Sequence, residues 1–289
     1  MSETTPTEDR GASFDVQHRD GFDSLAAMRD AGGVDLILTS PPYPDARKAE
    51  AYGAEFDTSL AGYGRMGDAV FEALKPGGVC ALNIDGPVRK WRGEDIGSER
   101  SLIAFEVALD WAKRVGFRYV ERCVYGREGM PGSHGPRWRS GGELVHVFAR
   151  PGADVYFDQM AYAMPAKLAG AQFSGQTQRT KSGIAVTRDW VQPTTRALST
   201  VFSMSVNPAT CDPDHSAAFS RDLADAYVLC YSPPGGLVGD PFVGSGTVAF
   251  SCHRHGRRFI GGDLGRRQRD GASWADIVNE GLRQERLFA

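Results

Sequence analysis

No apolar run in the 289 residues approaches the length of about 20 needed to cross a bilayer. The first ten residues, Met1 to Arg10, are polar and acidic, without the apolar stretch of a secretory signal, so a cytoplasmic protein without membrane contact is expected. Cysteine is sparse and scattered: Cys80, Cys123, Cys211, Cys230 and Cys252 include no Cys-x-x-C and no paired spacing with His. That excludes a disulfide framework and a zinc site, and leaves the cysteines as small core residues. Excess basic charge is also missing. A formal net charge of −3 argues against a uniformly basic nucleic-acid binder, although it hides local asymmetry. No repeat of solenoid length is visible, and residues 1–12 read as a disordered tail. What is present, 41% hydrophobic and 24% charged residues, suits a globular protein with a sizeable core, in one large α/β domain or two ordinary ones.

Taken in order, the chain alternates strands and helices. Ser13 to His18 reads as a strand, Phe22 to Arg29 as a helix ended by Gly32-Gly33, and Val34 onward as a buried strand. Pro44 to Tyr63 reads as a loop, a candidate lid or an ordinary surface connection. A helix over Arg65 to Leu74 is closed by the breaker cluster Lys75-Pro76-Gly77-Gly78 and followed by a strand at Val79 to Ile84. Leu102 to Val115 has helical spacing ended by Gly116, and Tyr119 to Tyr125 and Leu144 to Phe148 are extended. After a long irregular stretch, Ser220 can cap a helix to about Cys230. A short strand from Leu237, a glycine turn, a helix ending near Gly256, a strand Arg258 to Gly262 and a helix Trp274 to Arg286 complete the chain. This is the pattern of a mostly parallel sheet with an antiparallel edge.

Two turns carry the chemistry. Val34 to Tyr43 begins as a β-branched strand and ends in Ser40-Pro41-Pro42-Tyr43. Neither proline has an N–H, and Pro42 biases Pro41 toward an extended conformation, so the carbonyls of Ser40 and Pro41 project from a stiff turn beside an aromatic ring. A hydroxyl, a fixed carbonyl and a flat ring suit the exocyclic amine of a planar base. The plain alternative is a strand ending in a Pro-Pro turn. The second turn is Asp240-Pro241-Phe242-Val243-Gly244-Ser245-Gly246-Thr247, with Asp263 closing the next strand 23 residues after Asp240. Glycines admit a ligand close to the backbone, and an acid at roughly the ~20-residue spacing of nucleoside-binding folds suits ribose hydroxyls. No lysine follows Gly246, so this is not a phosphate-cradling P-loop. Ser232-Pro233-Pro234 repeats part of the first motif but runs into Gly235, with no ring to stack on a base.

Thr39 to Tyr43 early, Leu74 to Gly78 in the middle and Asp240 to Thr247 late together resemble the amino-methylating DNA methyltransferases, and their order resembles the circularly permuted β class. The resemblance runs from Asp20 to about Asp263. It implies a Rossmann-like, S-adenosylmethionine-dependent α/β fold with a small target-recognition insert. It further implies that Phe242, Gly244 and Gly246 line the methionine end of the cofactor, Asp263 its ribose and Asp20 its adenine, with a further contact from Phe219. Two departures stand out: Asp263 occupies a position where Glu is common, and His18-Arg19-Asp20 replaces a Gly-Asp pair.

Between Gln159 and Thr210 the periodicity fades, and Lys167, Arg179, Lys181, Arg188 and Arg196 face only Asp189, giving a local charge of +4. Composition alone allows a solvated loop region or a nucleic-acid-contacting insert. The resemblance favours the insert, dividing the chain into a catalytic half (13–158), a target-recognition insert (159–210) and a cofactor half (211–289) of one domain. The activity expected is methyl transfer to cytosine N4 in double-stranded DNA by base flipping, with no metal. Adenine N6 is the nearest alternative, since Ser40 in place of Asp is what resembles the cytosine-N4 group. An RNA or protein-amide methyltransferase, or a DNA-binding regulator with a vestigial cofactor fold, are the others. No Pro-Cys pair is present, which excludes the nucleophile of ring-carbon cytosine methylation. A cognate restriction endonuclease is a conceivable partner, and monomer and homodimer both remain open.

Overall fold

The computed structural model describes residues 13–43, 56–90, 98–126, 141–204 and 220–287. The tail 1–12, Phe219, Cys211 and the first part of the expected lid (44–55) lie outside the described residues.

The elements, in chain order, are β1 (Phe14–Gln17), α1 (Gly21–Asp30), β2 (Val34–Thr39), α2 (Leu60–Ala73), β3 (Leu74–Asn83), β4 (Val88–Lys90) and β5 (Ser98–Arg100). Next come α3 (Ile103–Asp110), continued by a π-helical turn over Trp111–Val115, then β6 (Arg118–Gly126) and β7 (Gly142–Ala149). Four short strands follow: β8 (Met164–Pro165), β9 (Gln172–Arg179), β10 (Ala185–Val191) and β11 (Thr195–Arg196). The last elements are β12 (Val201–Ser203), α4 (Arg221–Tyr231), β13 (Leu237–Asp240), α5 (Thr247–Arg254), β14 (Arg258–Gly262) and α6 (Trp274–Leu287).

Eight strands form one sheet in the order β1-β14-β13-β2-β3-β7-β6-β12. Every pairing is parallel except those made by β7, which runs against both β3 and β6. The expected mostly parallel sheet is therefore present, with its reversed strand two places in from the edge. The reason is local: β12 adds in parallel outside β6 through Val201 to Ser203, three residues too few to carry a periodic signal.

Alternation along the strands feeds two cores. Val79, Ala81, Val145, Val147 and Val238 face α4, α5 and α6, whereas Cys80, Leu82, Phe148 and Ile260 face α1, α2 and α3. Helices on both faces explain why β2 and β3 read as nearly continuous apolar runs. Asp35 is the charged residue of β2, and its carboxylate accepts from Lys75 Nζ at 2.7 Å and from the Leu237 N–H at 2.8 Å. Cys80, Cys123, Cys230 and Cys252 are all buried thiols, as their scatter led one to expect.

The boundaries at both ends of α2 differ from the reading above: β3 already begins at Leu74, so the breaker cluster Lys75 to Gly78 lies within that strand. Helix α2 begins at Leu60, so residues 60–63 belong to its first turn rather than to a loop. Gly62, Gly64 and Gly67 depress helical propensity there. The helix starts nonetheless because Ser59 caps it, its Oγ accepting from the Gly62 N–H, and because Gly62 lies so close to the Asp57 carbonyl that a Cβ would overlap it.

Chain direction changes sides between β13 and β2. From β13 the chain passes through α5 to β14 on one side, and from β2 through α2 to β3 on the other. Ligands of open α/β sheets bind beyond the carboxyl ends of strands at such a switch point. Both motif turns leave their strands there.

Candidate active site

β2 and β13 lie side by side, with Leu36 opposite Val238 and Ile37 opposite Gly239. Their next residues lead directly into Ser40 and Pro241. A buried bond ties the two ends: Thr39 Oγ1 donates to Asp240 Oδ1 at 2.8 Å, and the Phe242 N–H donates to the same oxygen at 3.0 Å. Asp240 is 1% exposed, and burial pushes its carboxyl up to about 7. Its acceptor capacity is turned inward, where it latches the two turns together.

The Ser40-Pro41-Pro42-Tyr43 turn is braced from below and from one side. The Tyr63 hydroxyl donates to the Pro42 carbonyl at 2.6 Å, while the Tyr63 carbonyl accepts from Trp111 Nε1 at 2.9 Å. Tyr63 is fully buried, which pushes its phenol well above the ordinary range. Tyr43 is half-buried. Its hydroxyl accepts from Ser40 Oγ at 3.5 Å and donates to Glu143 Oε2 at 3.4 Å. Ser40 itself is half-buried, so the hydroxyl expected to act on a base stands at an accessible strand end.

In the second turn Gly244 and Gly246 take φ of +51° and +87°. Gly246 is doubly required, since a Cβ there would also lie 2.5 Å from Val278 of α6. Asp263 reaches back from the end of β14: Oδ2 accepts from the Gly244 N–H at 2.8 Å and Oδ1 from the Gly265 N–H at 2.6 Å. The expected pairing of glycine turn and acid is thus a physical contact that holds the carboxylate in one orientation. Pro241 is buried, and Ser245 and Thr247 are half-buried at the mouth of α5. The Phe242 ring packs edge-on against Phe56, centroids 5.3 Å apart, and Phe56 in turn meets Tyr63 at 5.4 Å. One aromatic cluster therefore supports both turns. Asp20 follows β1 at the same edge of the sheet, and its Oδ1 caps α1 by accepting from the Asp23 N–H at 2.9 Å.

The five basic residues of the 159–210 stretch, Lys167, Arg179, Lys181, Arg188 and Arg196, are all exposed, and none joins the two turns. They lie on a two-stranded arm. It starts where β8 pairs with β11, continues where β9 pairs with β10, and turns over at residues 180–184.

Sequence reasoning missed Thr39, Tyr63 and Glu143. Thr39 stood inside the motif as a strand residue, and its hydroxyl at the last buried position was the available signal. Tyr63 and Glu143 come from elements 21 and 100 residues away from their partners, and nothing in local spacing marks them. Among the described residues no cluster of His, Cys, Asp or Glu could hold a metal. No described helix is long and apolar enough to cross a membrane.

An open sheet with a glycine turn and an acid on successive strands beside the switch point defines a nucleoside-binding, Rossmann-like α/β enzyme. The chain belongs to the N6/N4 methyltransferase family, described as DNA methylase, whose model matches residues 34–272. An orphan methyltransferase, M.BamHII of Bacillus amyloliquefaciens, is 26% identical over 258 residues, covering 86% of this chain and 89% of that protein. The type II methyltransferase M.SmaI of Serratia marcescens is 40% identical over 60 residues, which is 21% of this chain and 20% of that one. Among solved structures, the PvuII DNA methyltransferase, described as cytosine-N4-specific, aligns with a TM-score of 0.63 at 18% identity, covering 94% of this chain and 93% of that one. M1.HpyAVI in its SAM complex aligns with a TM-score of 0.56 at 16% identity, over 93% and 99% of the two chains. The structural likenesses establish the fold. The family establishes a DNA methyltransferase.

Proposed function

We propose that this DNA methyltransferase uses S-adenosylmethionine to methylate the exocyclic N4 amine of cytosine in duplex DNA, acting on a base flipped out of the helix. The observation that carries the reading is the latch between Thr39 and Asp240, which holds a base-binding turn and a nucleoside-binding turn side by side. The residues fit the cofactor: a glycine turn with two positive φ values brings backbone within reach of a ligand, and Asp263 is held as an acceptor suited to ribose hydroxyls. The cofactor supplies an activated methyl group and its own leaving group. Phe242, Gly244, Ser245, Gly246, Thr247 and Asp263 would hold it.

The chain's own task is to make a poor nucleophile available. The amine lone pair of a cytosine is delocalised into its ring. Ser40 Oγ and the Pro41 carbonyl would accept hydrogen bonds from the two amine hydrogens, which would draw the nitrogen toward tetrahedral geometry and free its lone pair for the methyl group that the cofactor would supply. Tyr63, by engaging the Pro42 carbonyl, keeps the turn from rotating. Tyr43 stacks on the extruded base and offsets part of an unstacking cost of a few kcal/mol. Ser40 in the position before Pro-Pro, together with the description of the PvuII enzyme as cytosine-N4-specific, supports cytosine over adenine. A hydroxyl also donates, toward N3 of cytosine for example.

Mass spectrometry of nucleosides from DNA methylated by the purified protein tests this. N4-methylcytosine is the expected product. N6-methyladenine alone would overturn the cytosine assignment and leave the family's reaction intact.

A further inference from the structure

We propose that one face of the arm's ribbon, presenting Gln176, Gln178 and Arg188, enters the major groove of the substrate DNA and reads base edges. The proposal rests on the reading of the protein as an enzyme acting on duplex DNA.

The first observation is where the arm is rooted. β12, which follows the arm, pairs with Val124 to Gly126, the carboxyl end of β6. β6 runs parallel to β2, because β7 opposes both β6 and the β3 that follows β2. The arm therefore returns to the sheet at the edge that carries Ser40 and Asp240.

The second observation is a reset of side-chain parity. Thr187 faces Thr177 and Arg188 faces Gln176, but the next pair is Trp190 with Phe173, so two residues of β9 answer one of β10. Gly175, at φ +67°, makes this bulge, and its N–H donates to Asp189 Oδ1 at 2.9 Å. Without the bulge Phe173 would share a face with Thr177. With it, one face carries three cross-strand rungs in line: Phe173 with Trp190, Gln176 with Arg188, and Gln178 with Val186. The opposite face carries Gln172 with Val191, Thr177 with Thr187, and Arg179 with Ala185.

The two faces differ in chemistry. Glutamine amides and the arginine guanidinium are the side chains that form bidentate bonds with adenine and guanine edges, and an apolar group such as Val186 can meet a thymine methyl. On the opposite face the comparable side chains, Gln172 and Arg179, stand at the two ends, and the threonines between them are too short to reach so far. Gln176, Gln178 and Arg188 are exposed, so no core packing accounts for the parity that aligns them. The rung at the root is held by the Phe173–Trp190 stack, centroids 5.0 Å apart and 16° from coplanar. Two strands about 5 Å apart and roughly 25 Å long fit a groove about 12 Å wide. Arg179 and Lys181, nearer the tip, then lie where a groove-bound ribbon meets phosphates.

The test separates base reading from phosphate contact. Purified full-length protein is bound to a randomised duplex library, and the bases modified in cellular DNA are sequenced in parallel. For R188A the expected result is a preference relaxed about 5- to 150-fold at one base pair, with Q176A and Q178A relaxing other positions. R188K keeps the charge but loses the planar fork, so it retains the salt dependence of binding while discrimination falls. T177A and T187A, on the opposite face, keep the wild-type preference. Circular dichroism and thermal melting establish that each variant is folded, and R188K is the substitution least able to disturb the ladder. An unchanged sequence preference in R188A, R188K, Q176A and Q178A, in a wild type that binds and methylates DNA selectively, overturns the ribbon assignment alone. So does an equal loss of preference in T177A and T187A. A wild type that neither binds nor methylates any duplex overturns the functional reading, and the ribbon assignment with it.

Discussion

The switch point and the arm share one edge of the sheet but are held together by opposite means. Around Thr39 and Asp240 the polar groups are buried, and the latch ties parts of the chain that are 201 residues apart. Along the arm almost every residue from Gln172 to Val191 is exposed, and the order comes from a two-stranded ladder with a single aromatic stack. A reacting nitrogen must be placed to a fraction of an ångström, which favours rigid, buried support. A surface that meets a long polyanion must instead leave its donors in water until the partner arrives. The contrast fits the proposed division, chemistry in the first region and recognition in the second, and it can be broken experimentally in four places.

Ser40→Ala is the most severe. Losing one preorganised hydrogen bond at the reacting amine should cut single-turnover methylation by about 10²-fold or more, with cofactor affinity unchanged. A rate within threefold of wild type would remove Ser40 from the chemistry.

Asp263→Ala comes next. A charge-assisted hydrogen bond contributes roughly 1.5–3 kcal/mol, so the dissociation constant for S-adenosylmethionine should rise about 10- to 100-fold by calorimetry. Loss of the acceptor for the Gly244 N–H adds to this, because the turn itself loosens. Unchanged affinity would place the ribose elsewhere.

The latch gives a pH signature. The buried Asp240 carboxyl titrates at about 7 when folded, against about 4 when unfolded. A group that holds its proton more tightly in the folded state stabilises most below the unfolded value, and that contribution is lost as pH rises toward 7. The urea midpoint of the wild type should therefore fall, relative to Asp240→Asn, between about pH 4 and 7. Asn retains an acceptor for Thr39 and the Phe242 N–H. Asp240→Ala does not, and should cost about 1–3 kcal/mol for each buried donor left unpaired. Parallel pH curves for wild type and Asp240→Asn would show that the carboxyl does not stay buried.

These contrasts also explain which features the sequence makes legible. The strands, the glycine turn and the Pro-Pro turn are local: β-branched runs, missing N–H groups and positive φ leave marks within a few residues, and those elements fall where periodicity puts them. For Asp240 the motif says that a carboxylate is present, not which way it faces. Only the position of Thr39 on the neighbouring strand decides that. Tyr63 was hidden in an apparent loop, since three glycines of α2 obscure a helix that a serine cap and tight packing restore. Glu143 meets Tyr43 through sheet order alone. On the arm periodicity fades for a different reason: a ribbon exposed on both faces has no apolar face to repeat, so its charge was readable and its strands were not.

The smallest effect should come from Trp190→Ala. An aromatic stack contributes about 0.5–1.5 kcal/mol beyond its buried area, and this one holds the root of a ribbon that makes little use of either core. Its loss should open the arm locally, speeding amide exchange over residues 172–191 by roughly 2- to 10-fold. The midpoint of thermal unfolding should stay put, because the cores on the two faces of the sheet draw on α1 to α6 and not on Trp190. Methylation at saturating DNA should change little, while DNA affinity falls as the ribbon must be ordered on binding. A global drop of several degrees, or faster exchange in β2 and β13 as well, would mean that arm and switch point unfold as one unit, and the division of labour between them would then have no structural basis.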